Sequence, residues 1–135
     1  MAEDCIFCKI VAGELPATIV DSDERTISFM DIRPAVRGHA LVIPRAHTAD
    51  VHAIDPEDLR AVAVAAQRLA TKARDNLGAE GVNLLNCNGA VAWQTVFHFH
   101  MHVIPRYAGD PLRAPWVTAP GDMDAIAAAG AELAG

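Results

Sequence analysis

The sequence has no stretch approaching the roughly 20 consecutive apolar residues that a membrane-spanning helix requires. Its first residues, Met1 to Asp4, are acidic and lack the basic region of a secretory signal peptide. Basic residues are also few, since Asp and Glu outnumber Lys and Arg 17 to 11 and the formal charge is -6. We therefore expect a cytoplasmic protein with no membrane and no nucleic-acid partner, in which binding of a small anion depends on a local positive site.

Cysteine is scarce as well, and the three thiols cannot all pair within one chain. Cys5 and Cys8 form a Cys-x-x-Cys pair, which is typical of either half a zinc site or a redox motif. Because no strand precedes the pair, as a thioredoxin-like unit requires, zinc is the better interpretation, and two further ligands have to be found. The sequence also lacks a Walker motif and a Gly-x-Gly-x-x-Gly phosphate loop.

What remains is ordinary globular composition: 135 residues, 52% hydrophobic and 21% charged, enough for one domain with a core. Asp55 and Pro56 are typical of a helix start and Gly78 of a helix end, which predicts a long amphipathic helix between them. Shorter helices are predicted at residues 6–11 and 122–133. Apolar runs bounded by turn residues or proline predict strands at residues 17–20, 26–30, 39–44 and 82–87.

The most informative stretch is residues 96–105, where three histidines at alternate positions are separated by single apolar residues. A period of two indicates a β-strand, with the imidazoles about 6.6 Å apart along one face. The residues expected on the opposite, core-facing side are Phe97, Phe99, Met101 and Val103. Such a row fits a solvated strand face, a metal site built from imidazoles, or phosphate chemistry by a histidine nucleophile. The row alone leaves all three open.

The segment from His98 to Ile104 resembles the motif of the histidine triad family, in which three histidines alternate with apolar residues and two more apolar residues follow. Further blocks fit the family in the same order: residues 29–34 and 38–47 upstream, residues 94–96 directly before the triad, and Pro105-Arg106 after it. The resemblance covers roughly residues 5–106. Within the family it is strongest to the small bacterial members of the Hint branch.

The resemblance implies an α+β fold in one domain over residues 1–135, with an antiparallel five-stranded sheet, a long helix packed on one face and a variable C-terminal extension at 107–135. It also implies a homodimer. The implied reaction is hydrolysis or transfer at the α-phosphate of a purine nucleotide derivative, of the nucleoside phosphoramidate or dinucleoside polyphosphate type. It passes through a nucleotidyl-histidine intermediate on His100 and uses no organic cofactor.

Family positions imply roles for further residues around His100. His102 and Thr95 are expected to complete the catalytic set, Thr95 by contacting phosphate and His102 by hydrogen bonding or packing. Asp31 is expected to accept hydrogen bonds from ribose hydroxyls, and apolar residues to enclose the base. The full nucleotide-binding set is Phe7, Ile10, Phe29, Asp31, Ile32, Asn88, Gln94 and Thr95.

The resemblance also completes the metal site. His47 and His98 stand at the positions that accompany Cys5 and Cys8 in zinc-bearing bacterial members of the family. Two thiolates and two imidazoles make a closed set of four ligands, which is typical of structural zinc. The closed set leaves His100 free for chemistry and disfavours a catalytic metal in the triad.

Two positions depart from the family pattern. Cys87 stands where many members carry Asn or Gln, so a contact to the phosphate region is either lost or passed to Asn86 or Asn88. Trp93 stands where glycine usually precedes the glutamine. Both departures favour an alternative function, a nucleotide-binding or protein-interaction module with weak or no catalysis.

Overall fold

A computed structural model describes residues 4–135, so the acidic start of the chain, Met1 to Glu3, lies outside the described residues. The elements in chain order are α1 (Ile6–Val11), β1 (Ile19–Ser22), β2 (Thr26–Met30), β3 (Ala40–Pro44), α2 (Pro56–Leu77), β4 (Gly81–Leu85), β5 (Met101–Arg106) and α3 (Met123–Ala134), with a short 3₁₀ turn at Ala90–Ala92. The strands form one sheet in the order β1-β2-β3-β5-β4, with every neighbouring pair antiparallel. The predicted α+β fold with a five-stranded antiparallel sheet is confirmed.

The sheet has a helix on each face. Val42 and Val103 pack in the cluster that contains the buried face of α2. Leu41 alternates to the opposite face and packs in the cluster that contains Phe7 of α1. The register places His102 directly opposite Leu41, so His102 lies on the α1 face of the sheet.

Helix α2 has the bounds that its local sequence predicts. The Asp55 carboxylate accepts a hydrogen bond from the Glu57 N–H at 2.7 Å, and Pro56 occupies the first helical position. Gly78 ends the helix in the left-handed conformation, at φ 72°. No helix within residues 4–135 is long and apolar enough to cross a membrane.

The predicted histidine strand is wrong in its first half. Strand β5 begins at Met101, and residues 96–100 lie outside the sheet ladder. The Phe99 N–H donates instead to the Thr48 carbonyl oxygen at 2.7 Å. Because backbone outside a ladder need not alternate between two sheet faces, Phe97 is 51% exposed and does not face the core, whereas Phe99 is 1% exposed.

Two strands differ from the sequence predictions in their boundaries, and two helices agree with them. Strand β1 begins two residues later than expected, and its pairing with β2 has an irregular register between Ile19 and Asp21. Strand β4 stops at Leu85, two residues before the predicted end at residue 87, and the side chain of the next residue, Asn86, donates to the His100 carbonyl oxygen. Helices α1 and α3 are confirmed, and every residue of α3 is exposed.

Candidate functional site

The nitrogen atoms of the buried His100 ring have different surroundings. Its Nδ1–H donates to the main-chain carbonyl oxygen of His98 at 2.8 Å. Because a carbonyl only accepts, the neutral ring carries its proton on Nδ1 and keeps a lone pair on Nε2. Burial lowers the pKa of His100, while the hydrogen bond to His98 and the charge of Asp31 act in the opposite direction. The result is a neutral imidazole near pH 7 with one nucleophilic nitrogen.

The main chain of His100 is fixed by two asparagines that follow β4. Asn86 Nδ2 donates to the His100 carbonyl oxygen at 2.9 Å, and Asn88 Nδ2 donates to Asn86 Oδ1 at 2.6 Å. Asn88 Oδ1 accepts from the Val51 N–H at 2.7 Å. Both ends of the Asn88 amide therefore have protein partners, and its direct contact with nucleotide stays a prediction.

The four residues assigned to zinc come together at the start of α1. His98 Nδ1 lies 3.4 Å from Cys5 Sγ and 3.5 Å from Cys8 Sγ, and His47 Nδ1 lies 3.2 Å from Cys8 Sγ. All four ligand atoms lie within 4.8 Å of one another. Bonds of about 2.0–2.3 Å to a tetrahedral zinc ion separate ligand atoms by about 3.3–3.8 Å, so these side chains fit such an ion.

His98 links this cluster to the nucleophile. Its Nε2–H donates to the Pro44 carbonyl oxygen at 2.8 Å, which leaves the Nδ1 lone pair facing the sulfur atoms. Its own carbonyl oxygen accepts from His100 Nδ1. Burial, together with the neighbouring Cys5, raises the pKa of the Cys8 thiol to about 11, so a thiolate at Cys8 requires a nearby cation.

His102 contacts His39, a histidine to which no sequence pattern assigns a role. Its Nδ1 lies 2.9 Å from His39 Nε2, and His39 Nδ1 accepts from the Ala35 N–H at 3.0 Å. Asp31 Oδ2 lies 3.5 Å from the same His39 Nε2. Burial lowers the pKa of His39, and burial with the neighbouring His100 and His39 lowers the pKa of His102 to about 4. The available signal was the position of His39 directly before β3, within a block that resembles the family.

The loop before the triad is held by Gln94, which is 4% exposed. Its Oε1 accepts from the Gly89 N–H at 2.8 Å, and its Nε2 donates to the carbonyl oxygens of Ala49 at 2.7 Å and Val96 at 3.2 Å. The neighbouring Thr95 is exposed and lines a cavity of about 370 Å³ beside the Cys and His cluster. Gln94 thus shapes the loop, whereas Thr95 is exposed at the cavity.

Three of the four apolar residues expected to enclose a base lie together, and the fourth lies apart from them. Phe7 and Phe29 meet edge to face at a centroid distance of 5.4 Å, and the Phe7 ring lies 5.2 Å from that of His100. Both phenylalanines are buried, and Ile10 packs against the same cluster. Ile32, in contrast, is 93% exposed after β2. The structure brings Phe7, Phe29 and Ile10 together near His100 and leaves Ile32 facing solvent.

The two departures from the family pattern lie at one cavity. Cys87 is buried, which raises the pKa of its thiol. Trp93 has a left-handed backbone, at φ 74°, and stacks on Trp116 with a centroid distance of 5.8 Å and an interplanar angle of 19°. These side chains line a cavity of about 320 Å³ next to the end of β4. No pattern in the sequence marks the partner Trp116, which belongs to the C-terminal extension.

Comparisons with known proteins extend over almost the whole chain. A model of the HIT domain matches residues 12–109. "Protein hit" of Bacillus subtilis is 45% identical over 118 residues, which cover 87% of this chain and 81% of the relative. "Adenosine 5'-monophosphoramidase hnt1" of Schizosaccharomyces pombe is 37% identical over 130 residues, which cover 96% of this chain and 95% of the relative.

A solved structure gives the same result for the fold. The crystal structure of a zinc-bound histidine triad family protein from Mycobacterium smegmatis matches with a TM-score of 0.80 at 40% identity, over 99% of this chain and 98% of that chain. The match therefore includes the C-terminal extension as well as the sheet and the triad.

Proposed function

Since the chain belongs to the HIT domain family, we propose that it hydrolyses purine nucleotide derivatives at the α-phosphate with His100 as the nucleophile. The observation that carries the proposal is the fixed orientation of His100, whose Nδ1–H is held by the His98 carbonyl. A buried neutral ring with a free Nε2 lone pair is the reactive form of a histidine nucleophile. The relative from Schizosaccharomyces pombe, named "Adenosine 5'-monophosphoramidase hnt1", supports a nucleoside phosphoramidate as the substrate.

Two displacements at phosphorus complete the reaction. In the first, His100 Nε2 bonds to the α-phosphorus, the bond from phosphorus to the leaving amine breaks, and the amine departs with a proton from solvent. In the second, a water oxygen bonds to phosphorus, the bond to Nε2 breaks and the water proton returns to solvent. The products are the nucleoside monophosphate and the amine, and the His100 ring regains its starting state.

The proposal also assigns a binding group to each part of such a substrate. We assign the phosphate oxygens to the Thr95 hydroxyl and to main-chain N–H groups of the loop that Gln94 holds in place. The ribose hydroxyls are assigned to the Asp31 carboxylate, which lies close enough to His100 to affect its pKa. The base is assigned to the apolar side chains beside Phe7.

We further propose that Cys5, Cys8, His47 and His98 hold zinc. The support is the geometry of the four ligand atoms, the inner-facing lone pair of His98 Nδ1 and the zinc-bound relative from Mycobacterium smegmatis. A closed set of four protein ligands gives the ion a structural role, in which it ties the N-terminus of α1 to the segment before β5. A homodimer remains part of this proposal, and light scattering of the purified protein tests it.

The test of the function follows AMP release from adenosine 5′-phosphoramidate. We expect turnover by the parent protein and a loss of about 10³-fold or more in His100→Ala, with AMP binding retained in calorimetry. His52→Ala is the matched control, because His52 is exposed and lies outside the site. Turnover that survives His100→Ala would refute the nucleophile.

The alternative is a nucleotide-binding or protein-interaction module with weak or no catalysis. The observations that favour it are the buried Cys87 thiol and the tryptophan pair of Trp93 and Trp116 beside the loop. AMP binding by a parent protein that releases no AMP from the phosphoramidate would establish this alternative.

A further inference from the structure

Residues 31–39 form a loop between β2 and β3 that is closed by its own hydrogen bonds. The Asp31 N–H donates to the His39 carbonyl oxygen at 3.0 Å, which joins the two ends of the loop. The His39 N–H donates to the Val36 carbonyl oxygen at 3.2 Å and makes a turn before β3. Most of the residues between these ends are exposed. The loop therefore has a fixed neck and an outer part that faces solvent.

The carboxylate of Asp31 is oriented by this loop. Its Oδ1 accepts a hydrogen bond from the Arg33 N–H at 2.8 Å, an arrangement in which an aspartate side chain bonds to the main chain two residues further on. The Asp31 side chain is 18% exposed, so the carboxylate keeps contact with solvent. A movement of the main chain at Arg33 therefore turns the carboxylate that we assign to the ribose hydroxyls.

One hydrogen bond attaches the outer part of the loop to the rest of the protein. The Tyr107 hydroxyl donates to the Arg37 carbonyl oxygen at 2.9 Å. Within residues 4–135, residues 32–38 make no other hydrogen bond to a residue outside the loop. Tyr107 directly follows β5, so the bond joins two parts of the chain that lie 70 residues apart.

Gly38 lies in close contact with the same part of the protein. A Cβ atom at this position would lie 2.6 Å from Leu77 Cδ1 and 3.1 Å from Pro105 Cγ, and the backbone has a φ of 86°. Both features favour glycine. The same Cβ atom would lie 3.6 Å from the Tyr107 hydroxyl. The loop thus packs against the end of α2 and the end of β5, at the point where Tyr107 holds it.

The backbone of Tyr107 is itself held by a turn at the start of the C-terminal extension. The Asp110 carboxylate accepts from the Tyr107 N–H at 2.9 Å and from the Leu112 N–H at 3.1 Å. It also pairs with the Arg106 guanidinium at 2.8 Å, which lowers the pKa of Asp110 below its usual range. The ionised carboxylate keeps the turn closed near pH 7, so the Tyr107 side chain extends from a fixed backbone.

We propose that Tyr107 is a positioning residue for ribose recognition: its hydroxyl holds residues 31–39 in the form in which the Asp31 carboxylate meets both ribose hydroxyls of a nucleotide. The proposal rests on the assignment of the ribose to Asp31 in the proposed function. Tyr107 acts through the Arg37 carbonyl and not by contact with the nucleotide. Because a nucleotide binds best to the fraction of molecules in which the loop has this form, loss of the hydrogen bond weakens binding.

A purely structural role of Tyr107 would have a different signature. A general loss of stability lowers the folded fraction and affects all ligands alike. A loss of the loop's position affects only the contact with ribose. AMP and 2′,3′-dideoxy-AMP separate the two cases, since the analogue lacks both ribose hydroxyls and keeps the base and the phosphate.

The first test is calorimetry on the parent protein and on Tyr107→Phe, which removes the hydroxyl and keeps the ring. We expect AMP binding to weaken by about two- to fivefold in Tyr107→Phe and binding of 2′,3′-dideoxy-AMP to stay unchanged. Thr71→Val is the matched control, because Thr71 is exposed on α2 and carries its hydroxyl outside the site. It should leave both affinities unchanged. Equal weakening of both ligands in Tyr107→Phe, or unchanged AMP binding, would overturn the proposal.

The second test measures the loop without a ligand, by amide hydrogen exchange. The N–H groups of Arg33 and His39 make hydrogen bonds inside the loop. We expect both to exchange about three- to tenfold faster in Tyr107→Phe, because one hydrogen bond no longer opposes opening of the loop. The amides of α2 should keep their parent rates. Unchanged exchange in the loop, or equal acceleration in α2, would overturn the role of the hydroxyl.

Turnover separates this proposal from the assignment of the reaction. With adenosine 5′-phosphoramidate we expect Tyr107→Phe to raise KM by about two- to fivefold at unchanged kcat, since the loop does not hold the nucleophile. A lower kcat at unchanged KM would overturn the proposal. If the parent protein shows no turnover, the proposed reaction fails, while the two affinities and the exchange rates still decide the role of Tyr107. Equal binding of AMP and 2′,3′-dideoxy-AMP by the parent would refute both the ribose assignment of Asp31 and this role.

Discussion

Replacement of Gln94 by Ala is expected to destabilise the protein although it removes no core packing. The change removes one acceptor and one donor group, which make hydrogen bonds of 2.8 Å to Gly89 N, 2.7 Å to Ala49 O and 3.2 Å to Val96 O. Each of the two shorter bonds contributes about 1 kcal/mol net, and the loss leaves main-chain groups without a partner in a buried region. We expect a loss of about 2–3 kcal/mol in the free energy of unfolding.

Urea unfolding measures this loss. With an m-value of about 1–3 kcal/mol/M for a chain of this size, the midpoint is expected to fall by about 0.7–3 M. Gln67→Ala is the matched control: Gln67, the other glutamine of the chain, is exposed on α2, and its replacement should change stability by less than about 0.5 kcal/mol. An unchanged midpoint for Gln94→Ala, with only weaker nucleotide binding, would show that Gln94 is a ligand-binding residue and refute its role in shaping the loop.

Three further predictions test other parts of the structure. Phe99→Ala should lower the free energy of unfolding, measured by urea titration, by about 3–5 kcal/mol, because Phe99 is buried. Phe97→Ala should lower it by less than about 1 kcal/mol. Equal losses in the two variants would indicate a continuous strand through residue 97. Treatment with a strong chelator should remove the proposed zinc and lower the melting temperature, and an unchanged melting temperature together with no released metal would exclude the zinc site. The free energy of unfolding should fall as the pH is lowered. The pKa of His102 is about 4 in the folded protein against 6.5 for a free histidine, so the unfolded chain binds this proton at a higher pH than the folded chain does. The melting temperature should therefore drop between about pH 6.5 and 4, less steeply in His102→Gln, and an equal slope in both proteins would contradict this origin.

The sequence predicted most reliably where the chemistry is local. The ends of α2 depend on the Asp55 side chain, the ring of Pro56 and the conformational freedom of Gly78, each of which acts within one helical turn. The ends of the strands depend on partners far along the chain and were predicted less well. Residues 96–100 alternate like a strand, but Phe99 N–H bonds to Thr48 O and not to a neighbouring strand.

The candidate site divides in the same way. The spacing of the histidines and the Cys-x-x-Cys pair are visible in the sequence, and the resemblance they support places His100 at the centre of the site. His39 was missed because a histidine before a strand has no local pattern that marks it, and its contacts are with the Ala35 N–H and with a ring 63 residues away. Gln94 was expected to bind nucleotide, since the sequence does not show that its amide is used by main-chain groups.

The sequence by itself therefore determined the family, the helix limits and the residue types available for nucleophilic and metal chemistry. Only the tertiary structure decided how the three triad histidines differ, because the tautomer of an imidazole depends on the partner of its other nitrogen. Those partners are the main-chain carbonyl of Pro44 for His98, the main-chain carbonyl of His98 for His100 and the ring nitrogen Nε2 of His39 for His102. Pro44 and His39 lie at the two ends of β3, and the antiparallel pairing of β3 with β5 brings them to the triad. The spacing of the histidines within residues 98–102 does not show this pairing.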